Sequence, residues 1–94
     1  MSLVLPHILS RLLRQAEASP GAPARQRLTN NLLVEVVLDG EHVTLQISRS
    51  SVLPGQREWR SVLRAWPYPV CAEPEEGFIA GRGCLRASLP LQRG

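Results

Sequence analysis

Lysine is missing from this chain: all eleven of its basic residues are arginine. Arginine presents a planar fork that grips phosphate or carboxylate at two points, so selection for such contacts is one reading. A GC-rich genome is the other, and abundant Ala, Gly, Pro and Leu beside few Asn and Ile point to it, and to a bacterial source. Aromatic residues are scarce as well; Trp59, Trp66, Tyr68 and Phe78 are the only four, so Leu, Val and Ile must fill the core. Only two cysteines occur, Cys71 and Cys84, too few for a secreted disulfide framework, and both are expected as reduced thiols in the cytoplasm. No apolar run approaches the length of a membrane span, and polar residues interrupt the N-terminal apolar ones where a secretory signal would be continuous. Solenoid-type repeats are absent too.

What remains is a chain of 94 residues, 44% hydrophobic, with a net charge of +3. That composition fits one small folded domain rather than a disordered segment. A chain of this size buries between about 60 and 70% of the surface exposed when unfolded.

The clearest stretch runs from Leu32 to Trp66. Asp39-Gly40 is a favoured two-residue type I′ loop, because both central residues must accept positive φ. It sets Leu38 against Glu41, Val36 against Val43, Val34 against Leu45 and Leu32 against Ile47 on one face, since side chains alternate along a strand. The other face carries Leu33, Glu35 and Val37 against His42, Thr44 and Gln46. Following this hairpin, Trp59, Val62, Leu63 and Trp66 repeat at i, i+3, i+4 and i+7, the stripe of an amphipathic helix. Gly55 is its expected N-cap, with Glu58 at N3 and Pro67 as its stop. Arg57, Arg60 and Arg64 share the opposite side of that helix.

An earlier helix is marked by Leu5, Ile8, Leu9, Leu12, Leu13 and Ala16, with Ser2 as its N-cap. Residues 1–18 are therefore a helical segment, 19–27 a flexible linker rich in proline and glycine, and 28–90 a hairpin–helix–hairpin unit. In the second hairpin, 78–80 and 84–89 are expected as strands around Gly81-Arg82-Gly83, with Ile79 facing Leu85. Glu73, Glu75 and Glu76 read as a solvated loop, and the last residues as frayed. The element order is then α-β-β-α-β-β. The expected fold is a two-layer α+β sandwich, a small and mostly antiparallel sheet with two helices on one face.

Catalytic motifs do not emerge. Ser50 and Ser51 lack a nucleophile-elbow context, and Cys71 lacks a base. Gly81-Arg82-Gly83 lacks the third glycine of a dinucleotide fingerprint. His7, His42, Cys71 and Cys84 have zinc-ligand chemistry without zinc-site spacing. No enzyme activity, cofactor, metal or small-molecule substrate is expected. The expected function is protein–protein association, as a homo-oligomer or with a larger partner. Leu33, Val37 and Tyr68 are its contacts, the tyrosine as an exposed ridge between Pro67 and Pro69. The alternative is electrostatic nucleic-acid binding through Arg57, Arg60 and Arg64, joined by Arg49, Arg25 and Arg27.

Overall fold

A computed structural model of the chain describes residues 4–91. Its elements are α1 (Val4–Ala18), β1 (Ala24–Arg27), β2 (Leu33–Asp39), β3 (His42–Ser50), α2 (Gln56–Arg64), β4 (Glu75–Ile79) and β5 (Arg82–Pro90). The five strands make one sheet in the order β1-β2-β3-β5-β4, antiparallel throughout. The class is α+β, as the hydrophobic periodicity implies. The N-cap expected at Ser2 and the fraying expected at the C-terminus lie outside the described residues.

The core follows the alternation in β2 and β3. Val34, Val36 and Leu38 with Val43, Leu45 and Ile47 are buried on one sheet face, joined by Leu85, Ala87 and Leu89 of β5. Ile8, Leu9, Leu12, Leu13 and Ala16 of α1 and Trp59 and Val62 of α2 belong to the same cluster. Trp66 is buried there too, although α2 has ended at Arg64. The indole N–H of Trp59 donates to the Ala72 carbonyl at 3.0 Å, which ties α2 to the connector that follows it.

Three expectations need correction. First, the order is α-β-β-β-α-β-β, because Ala24–Arg27 forms an edge strand inside the segment read as a linker. Three of its four residues are polar, so no apolar alternation betrays it; an edge strand needs only one paired side, and only Ala24 is buried.

Second, the first hairpin closes at Asp39↔His42 around Gly40 and Glu41, two residues out of the expected register. Val36 therefore faces Leu45, and Val34 faces Ile47. Gly40 takes φ +65 at the first loop position while Glu41 does not, the pattern of a type II′ turn, which requires glycine only there. A shift of two keeps every side chain on its expected face, so burial is unaffected.

Third, the second hairpin turns at Ala80-Gly81, both at positive φ (51 and 78), and closes at Ile79↔Arg82. Ile79 and Leu85 thus lie on opposite faces, with Leu85 opposite Glu76. Gly83 belongs to β5 rather than to the turn. A Cβ there would stand 2.5 Å from backbone atoms of Val52 and Leu53, which cross over it. Glu75 and Glu76 likewise belong to β4 rather than to a loop.

Gly55 caps α2 as expected. Its N–H donates to Glu58 Oε1 at 2.7 Å. Glu58 Oε2 also accepts from Arg49, at the end of β3, and from Asn30 Nδ2 at 3.3 Å. One carboxylate therefore stitches the β1–β2 loop and β3 to the start of α2. Partial burial opposes ionisation of Glu58, but the Gly55 N–H and the Arg49 guanidinium outweigh it, and its pKa lies below the ordinary glutamate value.

Candidate functional site

Both helices contribute their apolar stripes to one side of the sheet, so the other side carries neither of them. Side chains reach that open face from all five strands. One rung crosses the whole sheet in register: Arg25, Glu35, Gln46, Arg86 and Glu75. Arg25 and Glu35 form an ion pair at 3.1 Å, and Gln46 Nε2 donates to Glu35 Oε1 at 3.4 Å. These contacts are partly exposed and add little stability; their effect is to give the face an alternating charge pattern.

Leu33 and Val37 lie on this face, half-buried, on either side of Glu35 along β2. Four residue steps along the strand separate them, about 13 Å. They are two apolar points in a polar field rather than one patch. At one end of the face Arg82 folds inward; its Nε donates to Ser48 Oγ at 3.2 Å and its Nη2 to the Ser48 carbonyl at 3.4 Å. Ser48 and Cys84 are buried on this face.

Tyr68 is not with them. It packs against the helix-side core, half-buried and edge-on to Trp66 with ring centroids 6.2 Å apart. It is therefore not the exposed ridge that its flanking prolines suggest. The Tyr68 hydroxyl and the Trp66 indole N–H are both buried without a hydrogen-bond partner among the described residues.

The six arginines of the electrostatic alternative divide. Arg57, Arg60 and Arg64 are exposed along α2, and none of them is in an ion pair among the described residues. Arg49 is held by Glu58, and Arg25 by Glu35. Arg27 is exposed and borders a depression with Val4, Leu5 and Ile8, while Arg64 borders another with Leu5 and Pro6. These two thus flank the first turn of α1. Neither tryptophan is available for base stacking, since both are buried.

The open edge of β4 escaped the sequence reading. All five of its residues are exposed, with Phe78 at 60% and Ile79 at 51% of their full surface. Val52, whose backbone lies against Gly83 opposite Phe78, is also exposed. Gly77 leaves a gap in the open-face row, a depression of about 490 Å³ bordered by Gln46, Glu75, Ile79 and Arg86. The signal was present as adjacent apolar residues beside a turn, but adjacent residues on a strand point to opposite faces, so no one-sided pattern arises.

Among the described residues no group of three or more His, Cys, Asp or Glu side chains could hold a metal ion. No helix among them is long and apolar enough to cross a membrane. No known protein family, curated protein or solved structure matches this chain.

Proposed function

We propose that this chain is a non-enzymatic binding module that works by protein–protein association, with a second copy or a larger partner seated on the open sheet face. The observation that carries this reading is the one-sided placement of the helices. It leaves a face of five strands bearing Leu33 and Val37 as apolar anchors and an alternating row of charges around them. Apolar anchors ringed by polar groups are what a non-obligate interface presents, and alternating charge fixes the register of the partner.

A second reading, nucleic-acid binding, is favoured by the three exposed arginines of α2, which have no carboxylate partner among the described residues. Paired substitutions separate the two. Val37→Glu places a charge beside Glu35 on the open face and is expected to abolish association, read as molar mass by light scattering behind a sizing column. Arg60→Glu is expected to leave that mass unchanged. If nucleic acid is the partner, wild type instead binds labelled duplex or single-stranded DNA at low salt. Arg60→Glu then weakens binding and flattens its salt dependence by about 0.9 in log–log slope for each duplex phosphate no longer neutralised.

A further inference from the structure

The two-residue turn at Ala80-Gly81 fixes which backbone groups of β4 are free. Ile79 and Arg82 close the turn and bond to each other, as do the alternate pairs Gly77↔Cys84 and Glu75↔Arg86. The N–H and C=O of Glu76 and Phe78 therefore point away from β5, along the outer edge of the sheet. No helix or strand among the described residues covers that edge. On the helix side it displays Glu76 and Phe78, and on the open face Glu75 and Ile79 with the gap at Gly77 between them.

We propose that the β4 edge accepts an extended segment of a partner protein as a sixth strand, and that the segment is apolar at one end and basic at the other. Strand addition draws affinity from main-chain hydrogen bonds and specificity from alternate side chains. Antiparallel to β4, the segment places apolar residues opposite Ile79 and Phe78, a large side chain over Gly77, and cations opposite Glu76 and Glu75. Its cation opposite Glu75 extends the row that runs Arg25, Glu35, Gln46, Arg86, Glu75 across the open face. Neither Glu75 nor Glu76 has an ion-pair partner among the described residues.

The same carboxylates disfavour a second copy in the registers centred on Glu76 or Gly77, the latter pairing β4 along its whole length. A second copy pairing through β4 with Glu76 opposite its counterpart opposes two like charges directly. Centred on Gly77, that pairing still sets the two Glu76 side chains on a diagonal of about 7–8 Å, within reach of repulsion. Like charge against a second copy and opposite charge toward a basic segment act together as specificity. The proposal rests on the chain being an association module, but on a different surface from Leu33 and Val37.

The test uses the full chain and a fluorescent, end-capped peptide, Thr-Thr-Val-Val-Tyr-Arg-Arg-Thr-Thr, read by anisotropy. Saturable binding is expected, weakened at least about tenfold when glutamate replaces both arginines of the peptide. The doubly substituted chain Glu75→Lys/Glu76→Lys is expected to invert that preference. Glu76→Pro removes one outward N–H without touching the bonds to β5, and is expected to weaken binding at least about tenfold with the melting temperature nearly unchanged. Val37→Glu is expected to leave peptide affinity unchanged, so a failure here is distinguishable from a failure of the open-face reading. Absence of saturation up to about 1 mM, equal affinity for both peptides, or indifference to Glu76→Pro would overturn the proposal. A β4-dependent dimer of the free chain would overturn it too, by giving the edge to a second copy.

Discussion

The two ends of the sheet are finished in different ways. At one end β1 is four residues long, follows Pro23, and lies under α1, which rests on β1 and β2 and bonds Arg11 to Gln26. At the other end β4 is five residues long, wholly exposed, and has no helix among the described residues packed on it. Short, charged and roofed strands are the usual way to keep a sheet edge from pairing with another chain. β1 has those protections, whereas β4 has charge alone, and at only two of its five residues. The contrast teaches where stability and contact reside: the β1 end is built from packing, and the β4 end keeps apolar side chains and backbone groups in solvent.

Substitutions can break that contrast. The largest effect is expected at the roofed end, where Leu9 is fully buried between α1 and the sheet. Leu9→Ala should cost about 2–5 kcal/mol in urea unfolding, because the site cannot collapse around the missing side chain. Gly83→Ala comes next. Its new methyl would meet backbone of Val52 and Leu53 rather than a flexible side chain, so the β3–α2 crossing must move, at a cost of about 1–3 kcal/mol.

Glu58→Ala should cost about 1 kcal/mol, because the Gly55 N–H and the positive end of α2 are left without their carboxylate. It should also remove one component of the acid sensitivity. The folded pKa of Glu58 lies below its unfolded value, so its stabilisation is complete above the ordinary glutamate range and disappears as pH falls through the lowered folded value. Wild type should therefore lose more stability than Glu58→Ala on going from neutral pH to about pH 3. The smallest effect is expected at the open end. Phe78→Ser should shift stability by no more than about 0.5 kcal/mol, and a large loss in thermal unfolding would mean that Phe78 is packed rather than presented.

Most of the packed half was legible in the sequence. Two apolar periods, 3.6 in the helices and 2 in β2 and β3, marked the residues that are now buried, and the Gly55–Glu58 cap was readable from spacing alone. The first hairpin's register was not, because Asp39-Gly40 and Gly40-Glu41 are both acceptable loops and the burial pattern is blind to a shift of two. β1 and residues 75–77 of β4 stayed hidden for a shared reason. A strand at an edge has little to bury, so Arg25, Gln26 and Arg27, like Glu75 and Glu76, carry the composition of loops. The position of Leu33 and Val37 on the open face was legible from simple alternation. Tyr68 was misplaced because two flanking prolines indicate an extended backbone but not which side of it meets the core.

The measurement closest to the central claim, that this chain leaves the β4 edge of its sheet open to other molecules, is residue-resolved amide hydrogen exchange on the full chain alone. Glu76 and Phe78 amides should exchange near unprotected rates, while those of Gly77 and Ile79, bonded to β5, and of Val36 and Leu45 in the core strands exchange far more slowly. Strong protection at Glu76 and Phe78 in the isolated chain would contradict the account, because the edge would then already be covered.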